Sequence, residues 1–79
     1  MPTVARIKGI IIEVRYKEHG IPHYHALYGK YDISISIETN RIIVGRMPSK
    51  QLKEVLYWAS KEKNYKLLMK KWKEAKRNK

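Results

Sequence analysis

The apolar residues of this 79-residue chain change their spacing once, at Met47-Pro48, and that change limits what the chain can fold into. Residues 4–46 follow the two-residue period of strands, and residues 49–77 the three-to-four-residue spacing of amphipathic helices. Strands first and helices second predict an α+β domain. A chain of this length holds one domain, spanning 1–79, with a modest core and no separate cofactor-binding module.

The clearest strand is Tyr31 to Glu38, where Ile33, Ile35 and Ile37 alternate with Asp32, Ser34, Ser36 and Glu38. Val4 to Lys8 reads as a first strand, Gly9 as a break, and Ile10 to Tyr16 as a second strand with Ile10, Ile12, Val14 and Tyr16 on one face. Residues 23–29 form another, ending at a Gly29-Lys30 turn, and Thr39-Asn40 reads as a two-residue turn into Arg41-Ile-Ile-Val-Gly45. The expectation is an antiparallel meander of four to five strands.

Beyond Pro48, Ser49 reads as an N-cap, followed by an apolar stripe of Leu52, Val55, Leu56 and Ala59. A second stripe, Leu68, Met69, Trp72 and Ala75, begins after Asn64. Both helices are expected on one face of the sheet, covering the isoleucines and leaving the other face open. The closing Lys/Arg/Asn run reads as a tail.

Charge follows the same division. Residues 1–48 carry seven Lys/Arg against four Asp/Glu, and residues 49–79 carry eleven against three, within a formal net charge of +11. A field of that sign attracts polyanions and acidic proteins, so Lys66, Lys70, Lys73, Lys76 and Arg77, with Lys17, are candidate nucleic-acid contacts. Lysines of this kind hold phosphates without reading bases. The longest apolar run, Ile10 to Ile12, is too short for a bilayer, and the absence of cysteine fits a reducing compartment. A cytoplasmic protein without membrane partners is the expectation.

All three histidines, His19, His23 and His25, fall within seven positions. On a strand, His23 and His25 share one face and Tyr24, Ala26 and Tyr28 the other, and the tyrosine face is the better core. The two imidazoles are then expected on the open side beside Ser34, Ser36, Glu13 and Arg15, with His19 folding over from the loop.

The opening MPTVARIKG, the central EHGIPHYHA and the closing GRMPSKQLKEVLYWA together resemble the DUF4160 family of small bacterial proteins, a domain of unknown function. The most specific part is the run Glu18, His19, Pro22, His23, His25; where the family usually has a second proline, this chain has Ile21. The resemblance extends over nearly the whole chain. It implies membership of a toxin–antitoxin type of gene pair, with this chain as the basic member.

Three readings of the histidines follow. As a metal-independent ribonuclease, His23 and His25 act as acid and base, with His19 beside them and Arg15 or Lys17 as electrostatic partner; no cofactor is needed. As a metal site, the three imidazoles complete an open zinc centre. As scaffold, they hydrogen-bond the loop, and the protein is a non-catalytic module for an acidic cognate protein or DNA. The preferred expectation is RNA binding with cleavage at the His23/His25 face. An open edge strand would also favour a homodimer.

Overall fold

The computed structural model describes residues 3–15 and 20–77. Five strands, β1 (Thr3–Ile7), β2 (Ile10–Glu13), β3 (His23–Tyr28), β4 (Tyr31–Ser36) and β5 (Ile42–Gly45), precede two helices, α1 (Ser49–Ser60) and α2 (Glu62–Arg77). The strands form one antiparallel sheet in sequence order, β1-β2-β3-β4-β5, so the expected α+β meander with two C-terminal helices is the fold of the chain.

Backbone chemistry sets the turns. Lys8 and Gly9 take φ of 46° and 82°, the paired positive values of a tight hairpin turn, and bring Ile7 opposite Ile10. Gly29, at φ 57°, turns β3 into β4. The last connection is longer than Thr39-Asn40 alone: β4 stops at Ser36, whose carbonyl accepts the Asn40 amide at 2.9 Å while its own amide donates to the Arg41 carbonyl at 2.8 Å. Asn40 occupies the left-handed region there, at φ 60°.

Register assigns the faces. Tyr24 pairs with Ile35, Ala26 with Ile33 and Ile12 with Ala26. This face joins Val55 and Ala59 of α1 and Leu68, Trp72 and Ala75 of α2 in one buried cluster. Each isoleucine fully buried there contributes roughly 1.5–3 kcal/mol relative to exposure. A thinnest dimension of 20 Å fits one helix layer on one sheet. Ser49 is the first helical residue rather than the cap; Pro48 precedes it with no side-chain cap, and its carbonyl accepts the Leu52 amide at 2.9 Å. Asn64 does mark the helix junction, donating from Nδ2 to the Trp58 carbonyl at 2.9 Å.

Candidate functional site: a histidine hollow and a lysine stripe

The face opposite Tyr24 and Ala26 is built by alternation. Glu13, His25, Ser34 and Val44 lie side by side across four strands, with His23 opposite Ser36 and Leu27 opposite Asp32. As expected, His23 and His25 share this face with the serines. The expectation that it is open is corrected: His25 is 7 % exposed, and Ser34 and Ser36 are buried with it. Charged neighbours account for part of the cover, because polar side chains that satisfy one another can close over a sheet as apolar ones do.

Arg15 links two acidic side chains on this face. Its Nε donates to Glu13 at 2.7 Å and one terminal nitrogen to Asp32 at 3.2 Å. Burial works against its charge, but the bonds to Glu13 and Asp32 outweigh this and raise its pKa. Arg15 is thus engaged by two carboxylates of its own chain, which compete with any substrate phosphate for its donors.

The two described imidazoles are held differently. His23 Nδ1 lies 2.8 Å from the Ile21 carbonyl, which can only accept, so that nitrogen carries a proton. Its ring meets Trp72 of α2 at a centroid distance of 5.0 Å and His25 edge-on at 5.3 Å. His25 Nδ1 lies 3.2 Å from Ser34 Oγ and 3.6 Å from Asp32 Oδ1. Serine and aspartate thus approach the same nitrogen, whereas a Ser-His-Asp relay uses opposite ring nitrogens. Two imidazoles in edge contact also leave no room for a phosphate between them, while in-line transfer sets its acid and base on opposite sides of phosphorus.

A shallow hollow of about 400 Å³ opens beside the pair, with His23, His25 and Ser34 in it and Ile21, Ile43 and Val44 at its rim. The two rim residues of β5 are neighbours in sequence. The register of β5 against β4 slips between Ser34 and Ile35, leaving Ile43 as the extra residue of a bulge, so two consecutive side chains line the same hollow. The sequence pattern did not reveal this bulge; its one local signal is Gly45.

Among the described residues, no group of three or more His, Cys, Asp or Glu side chains is arranged to hold a metal ion. His19, Lys17 and Glu18 lie outside the described residues, as do Tyr16, the expected end of the second strand, and the side chain of Arg77.

The basic candidates form a separate surface. Lys66, Lys70, Lys73 and Lys76 are exposed on α2, whose opposite side buries Leu68, Trp72 and Ala75 against the sheet. An open hollow of about 540 Å³ on α2 is lined by Tyr65, Lys66, Met69, Lys70, Lys73 and Glu74. Lys66 pairs with Glu62 at 3.1 Å in an exposed i,i+4 contact worth little. The stripe lies on the side of α2 away from its buried residues, one of which, Trp72, meets His23.

No helix among the described residues is long and apolar enough to cross a membrane. Comparison with curated proteins and with solved structures finds no match to this chain. The family model described as "Domain of unknown function (DUF4160)" matches residues 9–73, a span that includes the histidine hollow, the β5 bulge and most of the lysine stripe, and the chain belongs to that family.

Proposed function

We propose that this protein binds single-stranded RNA through the outer face of α2 and does so without cutting it. The observation that carries the reading is the exposed set Lys66, Lys70 and Lys73 around one hollow with Tyr65. Lysines one helical turn apart stand about 5–6 Å from one another along the axis, a spacing suited to successive phosphates. A neighbouring aromatic ring supplies a platform on which a base can stack. The histidines, with His23 against Trp72 and His25 between Asp32 and Ser34, serve in this reading to hold β3 and its entry loop. In a toxin–antitoxin pair, such a protein would act by occupying RNA rather than degrading it.

The test is a fluorescent single-stranded RNA titrated at several salt concentrations, with and without EDTA. Binding should weaken steeply with salt. Replacing Lys66, Lys70 and Lys73 by Gln should flatten the log–log slope by about 2, since each phosphate no longer neutralised removes about 0.7. The RNA should stay intact, and His23→Ala should leave the slope unchanged. A slope untouched by the triple change refutes the stripe, and cleavage abolished by His23→Ala returns the histidines to catalysis.

A further inference from the structure

β5 is an edge strand whose apolar residues face solvent. Ile42, Ile43 and Val44 are 46 %, 48 % and 63 % exposed, whereas β1 at the other edge has Val4, Ala5 and Ile7 packed against the core. An edge of this kind offers a row of backbone donors and acceptors to another strand, and natural sheets normally blunt it with lysine, proline or an inward-pointing charge. Within Ile42–Gly45 there is no lysine, proline or inward-pointing charge, so the strand is blunted by its four-residue length and the bulge at Ile43 while its side chains stay apolar. The bulge there turns Ile43 and Val44 onto the histidine hollow, whose far rim is Ile21, 55 % exposed.

We infer that β5 and the adjoining hollow dock an acidic, extended segment of a second protein, which adds to the sheet as a sixth strand beside β5. Backbone hydrogen bonds to β5 supply the affinity, and Ile21, Ile43 and Val44 receive an apolar side chain over the imidazoles. Charge selects the partner. From Thr39 to Lys53 the chain carries Arg41, Arg46, Lys50 and Lys53 and no acidic residue, and Arg41 and Arg46 bracket the strand. A second copy of this chain fits poorly, because two antiparallel β5 strands would set Arg41 of each opposite Arg46 of the other, on top of +11 against +11.

The probe is a short synthetic peptide of alternating valine and glutamate, added to the full chain and followed by NMR. Shifts should centre on residues 42–45 and on Ile21, and the β5 amides should gain protection from hydrogen exchange. A valine–lysine peptide should not bind, and a valine–glutamate peptide with alternate backbone nitrogens methylated should lose binding although the protein is unchanged. Val44→Glu, at an exposed position that leaves folding intact, should weaken binding about tenfold or more. The proposal is overturned if the peptide fails to bind, if its shifts map to the α2 lysines, or if Val44→Glu has no effect. It is equally overturned if the peptide-free protein sediments as a dimer with its β5 amides already protected.

Discussion

Tyr24 carries more of the architecture than its place between two histidines announces. Its ring is fully buried on the helix-facing side of the sheet, its hydroxyl donates to Asn40 Oδ1 at 3.1 Å, and Asn40 Nδ2 donates to the Leu56 carbonyl at 3.0 Å. One side chain in the left-handed region thus ties the middle strand to α1. Burial raises the Tyr24 pKa above the ordinary 10.0. The sign of the linkage follows: the unfolded chain releases this proton near pH 10 while the folded one keeps it, so stability present below about pH 10 is lost above it, at about 1.4 kcal/mol per pH unit. Urea unfolding at about pH 8 and about pH 10.5 should show this loss in the native chain and a smaller one in Tyr24→Phe, which at neutral pH costs about 1 kcal/mol for the broken bond. Equal losses in the two proteins would contradict the assignment. The turn at Asn40 was legible because it depends on that residue's own chemistry. The enclosure of His25 was not, because it depends on Ser34 and Asp32, which the pairing of β4 with β3 brings alongside.

Among the elements, β5 is the least ordinary. Gly45 sits at φ 96°, and a methyl group there would collide with the Asp32 carbonyl oxygen and stand 2.9 Å from Ile33 Cα. Gly45→Ala must therefore strain its own backbone and push β5 off β4, and we expect a loss of about 2 kcal/mol or more in urea unfolding, with the amides of Ile42–Gly45 exchanging faster. An unchanged midpoint would mean that the bulge can relax freely. Strands and helices were otherwise readable from period alone, since Ile33 and Ile35 or Leu68 and Trp72 repeat at spacings that only one backbone geometry turns to a single side. Boundaries were less so. Ile37 continues the alternation but β4 ends before it, because the Ser36 amide is taken by Arg41 and the chain must turn. The bulge escaped for the same kind of reason: a register slip is a relation between two strands.

For the whole molecule, charge and topology are the governing properties. A net charge of +11 on 79 residues makes the folded state repel itself, and added chloride salt screens that repulsion without needing a binding site. Raising sodium chloride from about 0.05 M to about 0.5 M should lift Tm by about 4–8 °C, the shift expected for about 1 kcal/mol in a domain of this size, as read by calorimetry. A falling Tm would mean that specific ion pairs such as Lys8–Glu54, 3.0 Å apart, outweigh the general field. The sheet, meanwhile, pairs every strand with its neighbour in sequence. Its search for partners is short at each step, so hairpins can close one after another, on a timescale of about 1–10 μs each, while the rest of the chain is still leaving the ribosome. The side chains that cover the sheet, Leu68, Trp72 and Ala75, are synthesised after all five strands. Every newborn copy thus passes through an interval in which Tyr24, Ile33 and Ile35 have been made and their cover has not, and the speed of translation through the lysine-rich C-terminal segment sets how long that interval lasts.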